Sequence, residues 1–170
     1  MHTQGRIKVI WNQKDYQQLD FQLGVRDEMC KRLTVVDPKD MHRYSSEQFS
    51  MDYYDAVEIG NKFINPTDFS YIKEQGYSVH RTRPGHIVPA HMDHYAAYRK
   101  KFNLESSKKI IRVLIFLEDW QPGHYLDVDG HGFVNWHAGD WVSWQGTVPH
   151  RLANIGSVDR YTFIITGITE

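Results

Sequence analysis

Between Trp141 and Gly167 the chain carries three apolar runs separated only by Gln145-Gly146 and by Asn154-Ile155-Gly156-Ser157. Runs this short, bounded by Gly and Asn, suit strands and are too short for helices. They commit this end of the chain to antiparallel sheet. His150 falls on the middle run and Arg160 near the start of the last. Strands joined by a short turn pair as antiparallel neighbours, so the imidazole and the guanidinium are expected on one inner face. A histidine and an arginine facing one interior suggest a metal ligand and an anion clamp.

Upstream, His91-Met92-Asp93 completes such a site. Residues i and i+2 of a strand share a face, so both side chains reach one ion. Two histidines and one carboxylate, with open positions opposite, is the donor set of non-haem Fe(II) oxygenases. His124, Asp127, Asp129 and His131 form a rival group. Asp-x-Asp-Gly, however, reads as a hydrated turn. Arg99-Lys100-Lys101 and Lys108-Lys109 form a local basic run that reads as a solvated loop, with contact to an anionic substrate at the expected mouth as the alternative; Trp136, Trp141 and Trp144 read as core, with one of them a candidate for lining the substrate pocket.

Twenty basic residues face twenty-one acidic ones, a formal charge of −1. That balance gives no drive toward nucleic acid or anionic membrane, and neither is expected as a partner. Cys30 stands alone, which excludes an intrachain disulfide and fits a reducing compartment. No apolar run approaches membrane-spanning length. The expectation is a cytoplasmic protein of one domain over residues 1–170, with 1–76 as an N-terminal strand and helical support and 77–170 as a jelly-roll catalytic core.

Along the support, residues 6–11 read as a strand and 25–33 as a short helix. Residues 38–44 read as a loop. Ser45-Ser46-Glu47-Gln48 is placed to cap a helix running to about residue 64. Asn65-Pro66 reads as a second helix start, with Gly76 as its stop. From residue 77 the texture changes. Strands are expected at 77–82, 87–93, 110–117, 125–128 and 133–136, with a helical turn at 95–102 and a hairpin turn at Asp129-Gly130. Many short strands between Gly, Pro and Asp turns make the fold class mainly β, a sandwich or barrel of the jelly-roll type with N-terminal helices.

From about residue 77 to 167 the chain resembles the 2-oxoglutarate/Fe(II)-dependent dioxygenases, which share a double-stranded β-helix, the jelly-roll or cupin-like fold. The order His91-x-Asp93, apolar strand, turn-rich hairpin, Gly139-Asp140, Pro149-His150 and Arg160-x-Thr162 is similar to the compact prolyl-hydroxylase-like members. Arg83-Pro84-Gly85 before the iron motif and Phe116-Leu117-Glu118-Asp119-Trp120 after the central strand add to the likeness. The resemblance implies that His91, Asp93 and His150 hold Fe(II) and act as the catalytic centre. It implies that Arg160 grips the distal carboxylate of 2-oxoglutarate, which suits a planar guanidinium, with Thr162 adding a hydroxyl. Arg83 is a further candidate for binding the cosubstrate. The implied chemistry couples decarboxylation of 2-oxoglutarate to succinate with dioxygen-dependent hydroxylation of a C–H bond; ascorbate is a candidate accessory. The substrate would be a peptide or protein side chain or a small metabolite. The competing expectation is a cupin-like metal-binding barrel without 2-oxoglutarate chemistry, which needs no anion clamp at Arg160.

Overall fold

The computed structural model describes residues 2–23, 51–55 and 59–169. The expected helix at 25–33, the loop at 38–44 and the capping run at 45–48 lie outside them. In chain order the elements are β1 (His2–Arg6), α1 (Lys14–Gln17), β2 (Asp52–Asp55), α2 (Gly60–Phe63), β3 (Lys73–Thr82), β4 (Ile87–His91), α3 (Ala96–Lys101), β5 (Ile110–Phe116), β6 (His124–Val128), β7 (His131–Phe133), β8 (Asp140–Gln145), β9 (His150–Asn154) and β10 (Arg160–Ile168). Among the described residues no helix is long and apolar enough to cross a membrane.

The strands form two antiparallel sheets, ordered β1-β8-β5-β10-β3-β2 and β4-β9-β6-β7. From β3 onward the chain keeps crossing between the sheets, as a jelly roll requires. β1 and β2 extend the edges of the larger sheet. β5 and β10 are its middle strands, and their apolar character follows from burial on both faces. On β10, Tyr161, Phe163 and Ile165 face an outer cluster built with Trp11, Tyr16 and Phe63. Ile164 faces the space between the sheets, with Leu114 and Phe116 from β5 and Leu126 from the small sheet. Phe163 stacks on Phe63 with centroids 4.8 Å apart, which fastens the N-terminal segment to the sheet.

Three expectations for the N-terminal half are corrected. The strand expected at 6–11 lies earlier, at His2–Arg6, because its partner β8 begins at Asp140 and Arg6 pairs with that residue last. Beyond it the chain turns inward, and the Trp11 indole N–H donates to the Leu117 carbonyl at 3.0 Å. The described part of the helix expected to reach residue 64 is instead β2, paired with β3 from Asp52↔Arg81 to Asp55↔Ser78. Only α2 is helical there, a single turn. Residues 65–72 form turns rather than a helix. The Asp68 carboxylate closes onto the Asn65 backbone N–H at 2.9 Å, and Phe69 adopts φ 56°, which a helix does not accommodate. Burial of Phe69 and Ile72 in the outer cluster favours that path.

The candidate metal centre

His91 ends β4, and an irregularity aims it. Val88 pairs with Leu152 and His91 with His150, so three steps on β4 match two on β9. Strict alternation would put Val88 and His91 on opposite faces; the extra residue returns both to the interior. Pro89 sits in this bulge, where its missing N–H costs no ladder bond. Asp93 lies two residues past the strand end, so it is placed by the chain's turn toward α3 and not by strand alternation. His94, the next residue, also lines the cavity, which strand alternation from Asp93 would not allow.

His91, Asp93 and His150 each offer a donor atom, and the three atoms lie within 4.8 Å of one another. Among the described residues no other group of three does so. The imidazoles are oriented from behind. The Nδ1 of His91 is 2.9 Å from the Pro89 carbonyl, and that of His150 is 3.1 Å from the Val148 carbonyl. A carbonyl only accepts, so each Nδ1 carries the proton and each Nε2 presents a lone pair. Both Nε2 atoms face Asp93, at 3.7 and 3.5 Å. Burial lowers the pKa of both histidines, that of His150 to about 4 with His91 adding to the effect. Both rings are therefore neutral, as ligands must be. Burial alone would raise the Asp93 carboxyl; the Arg112 guanidinium beside it outweighs that and holds Asp93 below the ordinary carboxylate range. Two neutral imidazoles and an ionised carboxylate converging from one side fit a divalent first-row ion with open positions.

Arg112, on the inner face of β5, was not expected at this site. Its Nη1 lies 2.6 Å from Asp93 Oδ2 and its guanidinium covers the Tyr95 ring at 5.3 Å. The signal was present: Arg112 is the charged residue inside an otherwise apolar strand, where a charge needs a partner. Trp144, the cross-strand partner of Arg112, packs its ring 4.9 Å from His150. These groups open onto a cavity of about 710 Å³, walled further by Tyr53, Tyr77, Tyr98 and Phe102. Lys101, from the basic run, stands in that wall; Arg99 instead ties its own loop together through the Glu105 and Lys108 carbonyls.

Arg160 and Thr162 lie on the inner face of β10 and are 2% exposed. The expected ladder neighbourhood of His150 and Arg160 is corrected: β9 belongs to the small sheet and β10 to the large one. The two side chains face one interior from opposite sheets. The connection arches between sheets because Asn154 pins it, donating from Nδ2 to the Thr82 carbonyl at 2.8 Å and the Val158 carbonyl at 2.7 Å. Gly123 and Gly156 meet back to back at this corner, where a Cβ on Gly123 would come 2.3 Å from the Gly156 nitrogen. The Arg160 guanidinium lies over Phe116 and Trp136, 5.7 and 5.5 Å from their centroids. Its Nε and Nη2 are buried with no acceptor among the described residues. Burial pulls its pKa down to about 10, which leaves it charged at neutrality. Arg83 is not brought to the triad; with Arg81 it is paired to the buried Asp52. The rival group is a closed turn: Asp127 accepts from the Tyr125 hydroxyl, the Gly130 N–H and Arg151.

Fold and site together define a cupin-type jelly roll, a double-stranded β-helix, carrying a His-Asp-His group able to hold a metal ion. No family model matches the chain, and no curated protein matches it. Solved structures do. A Pseudomonas putida prolyl-4-hydroxylase is similar over 99% of this chain and 92% of its own, at 14% identity and a TM-score of 0.51. A sugar phosphate isomerase of the cupin superfamily from Silicibacter pomeroyi matches 87% of this chain and 71% of its own, at 8% identity and a TM-score of 0.45. The Cnp3 cupin domain of Schizosaccharomyces pombe matches 69% of this chain at 12% identity and a TM-score of 0.42. The chain spans 64% of the length of that last neighbour. The first likeness shows the fold. Solved neighbours of this fold include hydroxylase, isomerase and dioxygenase enzymes.

Proposed function

We propose that the protein is an Fe(II)- and 2-oxoglutarate-dependent dioxygenase that hydroxylates a C–H bond of a small metabolite or of a peptide side chain. The observation that carries this reading is Arg160. A buried guanidinium with two N–H groups unpaired and no carboxylate beside it among the described residues is costly, by several kcal/mol per desolvated ion on the order-of-magnitude scale. The cost is offset when an anionic ligand enters. A cupin barrel that only stores or presents a metal has no use for such a group. Phe116 and Trp136, stacked on each other 4.0 Å apart, flank the guanidinium on one side and offer it no acceptor, which leaves the fork for a carboxylate that it would grip through two parallel hydrogen bonds.

In this reading His91, Asp93 and His150 hold the iron, and Arg160 holds the far carboxylate of the cosubstrate. When bound, the iron would supply dioxygen activation coupled to loss of carbon dioxide from 2-oxoglutarate. The protein's own part is orientation: the Pro89 and Val148 carbonyls fix the imidazole tautomers, Arg112 fixes the carboxylate, and the apolar inner cluster keeps water away. Anaerobic titration with Fe(II) and 2-oxoglutarate tests the proposal. One equivalent of each should produce a weak visible charge-transfer band, and Arg160→Met should lose the band while still taking up iron. Iron uptake with no band at any 2-oxoglutarate concentration would leave a metal-binding cupin without this chemistry.

A further inference from the structure

The metal-side cavity holds a second set of unused donors. Trp144 is 2% exposed, lines the cavity, and has an indole N–H with no acceptor among the described residues. Arg112 lines the same wall, and its Nε is likewise buried and unpaired among them while Nη1 is engaged by Asp93. The two residues are register partners across β5 and β8, so their side chains rise from one face about 5 Å apart. Two adjacent N–H donors, one of them on a cation, form a receptor for a carboxylate.

Charge points the same way. Arg112 and Lys101 in the cavity wall are balanced by Asp55 and Asp93. In the dioxygenase reading the far carboxylate of 2-oxoglutarate neutralises Arg160, and the near one offsets only half the charge of a divalent ion on the triad. The cavity is then left with one positive charge in excess, which a singly charged acid would neutralise. Much of the remaining wall is aromatic and aliphatic, through Tyr53, Tyr98, Phe102, Leu126 and Leu152, with Ser78, His80, His94 and Thr166 as its polar members. Its volume of about 710 Å³ suits a whole small molecule.

We infer that the primary substrate is a monocarboxylic acid with an apolar or aromatic body, seated with its carboxylate on Arg112 and Trp144 and its body against the Tyr53–Phe102 wall. The inference deepens the dioxygenase reading by naming the class of its substrate. The donors themselves belong to the protein and do not depend on 2-oxoglutarate.

The test uses the full chain, a panel of straight-chain and aryl acids of three to ten carbons, and the matching primary amides. Binding is followed by calorimetry and by the indole N–H proton resonance of Trp144, assigned through Trp144→Phe. At least one acid should bind tenfold or more tighter than its amide and move that resonance downfield. Arg112→Gln should remove the acid preference, Arg112→Lys should keep part of it, and Arg160→Met should leave it intact. A tetrapeptide with a free or an amidated C-terminus separates the two sources of such a carboxylate, a free metabolite or a chain end. If no acid in the panel or peptide pair outbinds its amide, or if the preference survives Arg112→Gln in a protein of native circular dichroism, the inference is overturned. Loss of the preference in Arg160→Met also overturns it, by placing the anion site at Arg160. Loss of the iron–2-oxoglutarate band with acid binding retained would sink the dioxygenase reading alone.

Discussion

Two arginines enter the interior from the large sheet, and their surroundings are opposite. Arg112 sits against Asp93, with Tyr95 and Asp55 nearby. Burial works against its charge, but these groups hold its pKa above the ordinary value. Arg160, several ladder steps away toward the closed corner of the barrel, has aromatic rings for company and, among the described residues, no acid, and burial pulls its pKa down. A buried cation with its counter-ion in place belongs to the structure. A buried cation without one is a cost carried until a ligand arrives. The two therefore predict opposite responses to removal, and that contrast can be attacked directly.

The largest effect is expected at the paired end. Asp93→Ala leaves Arg112 without its partner, and breaking a buried pair from one side costs about 3 kcal/mol or more. Urea denaturation of the metal-free variant should show it; an unchanged midpoint would mean that the pair is loose in solution. Next comes ligand linkage. At a hundredfold excess over its dissociation constant, 2-oxoglutarate should stabilise the iron-loaded native protein by about 2.7 kcal/mol. Arg160→Met should lose nearly all of that gain, read as the shift in thermal midpoint with and without the cosubstrate.

A change of sign follows. In the ligand-free protein Arg160→Met should raise stability by about 1–2 kcal/mol, because it replaces an uncompensated ion by an apolar chain of similar length. Arg112→Met should lower it by leaving Asp93 unpaired. If both arginine variants shift denaturation midpoints the same way, the distinction between the two sites fails. The smallest effect is expected for Phe116→Leu. It removes one of the two aromatic faces against Arg160 and should cost about 1 kcal/mol by chemical denaturation, with metal uptake unchanged.

Much of this was readable in the chain, and the exceptions have physical causes. His91, Asp93 and His150 could be chosen because few residue types ligate a divalent ion and the downstream half was plainly strand. The reason given for His91 and Asp93 sharing a face was incomplete: His91 turns inward through the bulge at Pro89, and Asp93 lies past the strand. Neither follows from a period of two. The assignment of His150 and Arg160 to paired strands failed because residues 155–159 are compatible with a hairpin and with an arch between sheets. The Asn154 side chain, through bonds to Thr82 and Val158, selects the arch. Residues 52–55 fall in the helix expected from the capping run Ser45-Ser46-Glu47-Gln48, whereas the edge of β3 supplies ladder partners that no local pattern reveals. Arg112 was visible as a charge in an apolar strand, but its meaning depends on Asp93 arriving from another sheet.

The bulge on β4 decides how the candidate centre responds to a change in length. Val88 and His91 both face inward across three steps that match two on β9, so removing one residue between them would restore plain alternation, two steps against two, and still leave the imidazole facing inward. Two chains that differ by one residue here could thus present the same His-Asp-His group. A comparison that demands a fixed count between Val88 and His91 would miss such a relative.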